Sequence, residues 1–176
     1  MGILEILNAG CNPPATDFLV IGGYAVNAHG YPRLTFDLDI LISKEQGAYW
    51  KNLMLQNGYK IFSEHENFLQ FAPSVPNEMP VDFMLVNETT FKKMSSEAKT
   101  TVVREIAVKH PKLMHLIALK LHVIKQSLAH RYHHDLADVV KLLHINHVDV
   151  RGKELKELCE QFGNQEIYDT ILREFK

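Results

Sequence analysis

The sequence predicts a mixed α/β fold: a small mixed sheet with flanking helices over residues 1–110, followed by an all-helical bundle over 111–176. Three observations carry that reading. Short apolar runs at 18–21, 40–42 and 83–86 have the length of buried strands, and segments of helical composition separate them. From Pro111 onward the apolar spacing changes to the period of a helix. A chain of 176 residues is long enough to bury a sizeable core, and with no repeat or low-complexity linker the two halves are expected to pack as one unit.

Taken in order, residues 17–21 read as a short buried strand, and Gly22-Gly23 permits a sharp turn out of it. A short helix over 24–28 ends at His29-Gly30, with Pro32 just beyond. Residues 35–43 form the second strand, with Ile40–Ile42 apolar as in a strand covered on both faces. Residues 44–57 are helical and Gly58 closes them; 59–63 and 68–72 are strands; the three prolines of 73–80 mark a loop. Strand 81–86, a helix over 88–94 and one further strand over 100–109 complete the first half. Pro111 suits a first helical turn, and Leu113, Ile117, Leu121, Ile124 and Leu128 then line one apolar face. Helices over 132–144, 152–161 and 165–175 follow.

Composition narrows the classes. Cys11 and Cys159 stand far apart without a partner motif, so neither a disulfide framework nor a cysteine zinc site is expected, and a cytoplasmic location is. No apolar run approaches the roughly 20 residues that span a bilayer, and no leader-like segment is read at the start. The formal net charge of −2 is unevenly spread: Lys92 to Arg131 holds nine basic residues against Glu97 and Glu105. Such a stretch is either a solvated helical surface or a track for a polyphosphate or nucleic acid.

The chemistry concentrates in Asp37-Leu38-Asp39. Carboxylates two residues apart on a strand project from one face, roughly 6 to 7 Å apart along the chain. Each disfavours ionisation of the other, so a site that keeps both charged supplies a cation, for which magnesium is the natural candidate. An Asp-x-Asp by itself is more often a turn or surface pair; here Thr-Phe precedes it, Ile-Leu-Ile follows, and Gly-Gly lies upstream. Asp82 is either an exposed residue after the proline loop or a third carboxylate on a buried strand.

Gly22-Gly23, thirteen intervening residues, Asp37-Leu38-Asp39 and then Asp82 on a later strand resemble the DNA polymerase β-type nucleotidyltransferase superfamily. The wording HGYPRLTFDLD and KLHVIKQSLAHRYHHDLAD is similar to its AbiEii-type branch, which includes toxins of toxin–antitoxin systems. The resemblance implies the nucleotidyltransferase fold and transfer of a nucleoside monophosphate from a triphosphate such as ATP to a hydroxyl, releasing pyrophosphate. It implies two magnesium or manganese ions held by Asp37, Asp39 and Asp82, with Asp82 also placing and activating the acceptor. Gly22, Gly23, Arg33, Thr35 and Lys120 would contact the triphosphate, and Asp135 and Asp138 would orient Lys120, Arg131 or the acceptor, with Arg131 itself at the acceptor as a further role. The implied partners are an RNA acceptor, such as a tRNA 3′ end, with a protein or small molecule as alternatives, and an antitoxin protein. Two departures stand out: Gly23 replaces a common serine, and His134 replaces a common Lys or Arg.

Two other readings compete. His133-His134-Asp135 with Asp138 would be metal ligands in a histidine–aspartate phosphohydrolase, although that leaves the aspartates near residue 38 unexplained. A non-catalytic nucleotide- or partner-binding module would keep the fold, but the complete set of three carboxylates speaks against it.

Overall fold

The computed structural model describes residues 2–12, 15–126 and 129–175, the side chains of 129–131 excepted. Leu128 and the Arg131 side chain therefore lie outside the described residues. Two compact units divide the chain, Met1–Ala25 with Arg33–Lys112 and Val26–Pro32 with Leu113–Lys176.

The first unit is built on a five-stranded mixed sheet in the order β1-β2-β5-β4-β3. Its strands are β1 (Leu19–Val20), β2 (Leu38–Ser43), β3 (Tyr59–His65), β4 (Phe68–Pro73) and β5 (Val81–Val86). Only β2 and β5 pair in parallel; the other neighbours are antiparallel. Strand parity decides what each face does. Leu38, Ile40, Ile42, Leu69, Phe71, Val81 and Phe83 all point into one core, together with Trp50 and Met54 of helix α3 (Gly47–Gln56) and Ile3, Leu4 and Leu7 of helix α1 (Ile3–Gly10). Trp50 meets Phe18 and Phe83 edge-on, with ring centroids 5.8 and 6.4 Å apart. Asp39, Gln70 and Asp82, at the intervening positions, are left on the opposite face.

Several elements differ from expectation. The first strand is only two residues long, because the chain enters helix α2 (Gly22–Ala28) directly at Gly22. The strand expected from Thr35 starts at Leu38, so Asp37 sits just ahead of the ladder. Helix α1 was not anticipated. A one-turn 3₁₀ segment, Lys44–Gln46, precedes α3. After helix α4 (Glu88–Ser96), capped by Asn87 accepting from the Thr90 amide at 2.8 Å, the single strand expected over 100–109 is a hairpin. Its strands are β6 (Lys99–Val103) and β7 (Ile106–His110), joined through Arg104 and Glu105 at φ +48° and +68°.

The second unit contains α5 (Leu113–Gln126), α6 (Ala129–Ile145), α7 (Lys153–Phe162) and α8 (Gln165–Glu174). The predicted apolar stripe of α5 supplies Ile117, Leu121 and Ile124 to a core shared with Val139, Leu143, Leu155, Cys159, Ile167 and Ile171. Asn164 caps α8 by accepting from the Ile167 amide at 2.9 Å. Asn146 donates to the His29 carbonyl at 3.0 Å, joining residues of 26–32 to the end of α6.

Candidate functional site

The parallel register of β2 and β5 sets Asp39 directly beside Asp82, and Asp37 reaches the same place from the residue before β2. Carboxylate oxygens of all three lie within 4.8 Å of one another, half-buried. Gln70, which is in register with Asp82 on β4, donates from Nε2 to Asp82 Oδ2 at 2.9 Å. Thr35 Oγ1 donates to Asp37 Oδ1 at 3.1 Å. Two of the three carboxylates are thus oriented by neutral donors, which hold position without cancelling charge.

Gly22 and Gly23 close the site from the other side. An ideal Cβ on Gly22, whose φ is +56°, would fall 1.7 Å from Asp39 Oδ2. One on Gly23 would fall 2.5 Å from Thr35 Oγ1 and 3.2 Å from Arg33 Nη1. The glycines are needed because side chains of the site fill the space above their backbone. A main-chain bond, Ile21 N–H to Asp39 carbonyl at 2.9 Å, holds this turn to β2. Along 33–37 the chain alternates: Arg33, Thr35 and Asp37 are half-buried, while Leu34 and Phe36 are more than three-quarters exposed. The structure therefore brings together Gly22, Gly23, Arg33, Thr35, Asp37, Asp39 and Asp82. Gln70 was missed by sequence reading, since only its pairing with Asp82 reveals it.

Within the second unit, Lys120, Asp135 and Asp138 form a charged group of their own. Lys120 Nζ stands 2.8 Å from Asp135 Oδ1 and 2.7 Å from Asp138 Oδ2, with all three residues buried. His134 is exposed, its Nδ1 4.0 Å from Asp138 Oδ2. These three acidic and imidazole groups are close enough to share an ion. The Lys120 ammonium, however, sits between the two carboxylates as a counter-charge, which weighs against the phosphohydrolase reading. The basic run also changes meaning. Lys92 pairs with Glu88, Lys109 with Asp17 and Lys112 with Glu97, so with Lys120 four of the nine basic residues are held by carboxylates. No helix among the described residues is long and apolar enough to cross a membrane.

No protein-family model matches the chain, and no curated protein does. Solved structures do. ANT(2")-Ia, in complex with adenylyl-2"-tobramycin, superposes with a TM-score of 0.58 at 9% identity, covering 99% of this chain and 97% of its own. The chain has the nucleotidyltransferase fold. The lincosamide antibiotic adenylyltransferase LnuA, lincomycin-bound, gives 0.53 at 13% identity over 80% of this chain and 93% of that one. An antigenic nucleotidyltransferase-like protein from Paracoccidioides brasiliensis gives 0.50 at 13% identity over 90% and 85%. The fold expected from residues 22–82 is thereby shown.

Proposed function

We propose that the chain is a metal-dependent nucleotidyltransferase. The observation that carries this is the convergence of Asp37, Asp39 and Asp82 on the sheet face opposite the core, with carboxylate oxygens within 4.8 Å. An all-oxygen, all-anionic donor set fits magnesium or manganese, and the close approach of Asp39 to a side-chain-free Gly22 leaves the carboxylates room to turn inward. When bound, such ions would neutralise the charge developing on the attacking and leaving oxygens. The residues of the chain do the rest. Backbone amides of Gly22 and Gly23, the Thr35 hydroxyl and the Arg33 guanidinium would hold the triphosphate. Asp82, with one oxygen fixed by Gln70, would accept the proton of an acceptor hydroxyl. The acceptor oxygen bonds to the α-phosphorus, the bond to the bridging α–β oxygen breaks, and pyrophosphate leaves.

The acceptor we favour is a small hydroxylated molecule rather than RNA. Pairing of Lys92, Lys109, Lys112 and Lys120 leaves the expected basic track much reduced. Two fold neighbours carry adenylyl-tobramycin and lincomycin. The AbiEii-like branch rests on the wording of residues 29–39 and 120–138.

The test is incubation of the protein with each α-labelled nucleoside triphosphate, manganese or magnesium, and separate pools of hydroxylated small molecules, RNA and protein. Label entering the small-molecule pool, and lost in Asp37→Ala, is the expected result. Label confined to RNA would overturn the acceptor class; pyrophosphate release that survives Asp37→Ala would overturn the mechanism.

A further inference from the structure

Behind the carboxylates, on the core face of the sheet, the first unit contains a cavity of ≈ 240 Å³. Leu38, which separates Asp37 from Asp39, and Tyr24, which follows Gly23, form its floor with Met79. Tyr24 donates its hydroxyl hydrogen to Met79 Sδ at 3.5 Å, so the ring is fixed and its polar end is satisfied. The rim is different in kind: Asn77, Glu78 and Arg104 are all exposed. Glu5 also borders the opening, but its carboxylate is engaged by the Gly2 amide at 2.7 Å. Arg104 makes no hydrogen bond or ion pair among the described residues, although it borders a cavity with two glutamates.

Two rim residues are also strained. Asn77 has φ +70° and Arg104 φ +48°. Asparagine tolerates that region, whereas a two-residue hairpin turn of this kind ordinarily takes Asn-Gly, and arginine there is unfavourable. Strain of this sort gathers where a ligand is clamped. Arg104 thus stands in a position that suits glycine, on the edge of the cavity, with no hydrogen bond or ion pair to its guanidinium among the described residues.

We propose that this cavity is a binding site for a small apolar or aromatic α-amino acid. The carboxylate would pair with Arg104, the ammonium with Glu78, and the side chain would lie on Tyr24, Leu38 and Met79. The volume corresponds to about eight waters at ~30 Å³ each, enough for a molecule of roughly a dozen non-hydrogen atoms. Because Leu38 faces opposite to Asp37 and Asp39, the occupant does not share a face with the reacting groups. It is a bound ligand, not the acceptor.

The test needs neither metal nor nucleotide, so its failure and that of the transferase reading are distinguishable. The full chain is titrated calorimetrically with L-leucine, L-methionine, L-phenylalanine and L-tryptophan, and with 3-phenylpropionate and phenethylamine. One of the amino acids is expected to bind one-to-one with Kd below about 1 mM. Its affinity should fall at least tenfold in Arg104→Gly, which relieves the turn and so folds, and in Glu78→Gln. Neither phenyl analogue, lacking one of the two charges, should match it. No binding of any amino acid at millimolar concentration, or binding indifferent to both substitutions, overturns the assignment.

Discussion

Gly22 and Asp39 are fitted to each other: a Cβ on the glycine would lie 1.7 Å from Asp39 Oδ2, far inside van der Waals contact. The backbone there also takes φ +56°, which disfavours any side chain. Gly22→Ala must therefore move either the turn or the carboxylate. Strain at a positive-φ position costs more than about 1 kcal/mol. The larger consequence is for ions, since shifting one oriented carboxylate typically weakens metal affinity by about tenfold or more. Manganese titration followed by paramagnetic resonance should show that loss. Unchanged manganese binding in a folded Gly22→Ala protein would mean that Asp39 is not a ligand.

The three clustered carboxylates predict that the parent and Asp39→Asn, which removes one charge but keeps the shape of the side chain, respond differently to metal. Added magnesium or manganese should raise the parent's melting temperature, by the equivalent of about 2.7 kcal/mol at a hundredfold excess over Kd, and leave the variant unmoved. Thermal melts across a manganese series decide this without any assay of activity. Equal stabilisation of both proteins would remove the triad from consideration as a metal site.

Legibility in the sequence followed the physics of each element. Strand parity and the glycine pair made the first site readable, because alternation alone sends Asp37 and Asp39 one way and Leu38 the other. Gln70 was not readable, since a glutamine on a strand acquires meaning only when register sets it beside Asp82. The β6–β7 hairpin was read as one strand because its turn is Arg104-Glu105, without the glycine or asparagine that positive φ normally brings. The partners of the basic run were not readable for a related reason: Asp17 is 92 residues from Lys109, and charge counted along the chain cannot see such a partner.

Alkaline conditions should weaken the fold through its thiols. Burial, aided by the Glu160 carboxylate, pushes the Cys159 thiol up to about 11. Cys11 is raised to about 11 by burial and then by Asp17. The unfolded thiols ionise first, near 8.5. Their contribution to stability is thus full below about pH 8.5 and declines as pH rises toward about 11. Denaturant unfolding from pH 7 to 10.5 should show that decline, reduced in Cys159→Ala. At pH 8 the Cys159 thiol should react with a disulfide reagent only as the protein unfolds. Rapid labelling of the native protein at Cys159 would contradict the burial that raises it.

Lys120 gives the sharpest test of how buried charge is managed in the second unit. The resemblance implies that it contacts the triphosphate with Asp135 and Asp138 orienting it, and its ammonium does stand between those two carboxylates at 2.8 and 2.7 Å. Removing one member of a buried charge group costs about 3–5 kcal/mol. Lys120→Met, which keeps the length of the chain, should therefore destabilise the protein by that order, more than any surface lysine change. Adding Asp135→Asn and Asp138→Asn to it should recover much of the loss, because the stranded charges go with their partner. A double-mutant cycle by denaturant unfolding measures the coupling directly, with Lys92→Met, whose partner Glu88 lies on an exposed helix face, as the control expected to lose less than about 1 kcal/mol. If Lys120→Met proved as mild as Lys92→Met, the ion group would not be holding the helices. Lys120 would then have to be sought again as a ligand for a phosphate, by comparing triphosphate affinity in the same two variants.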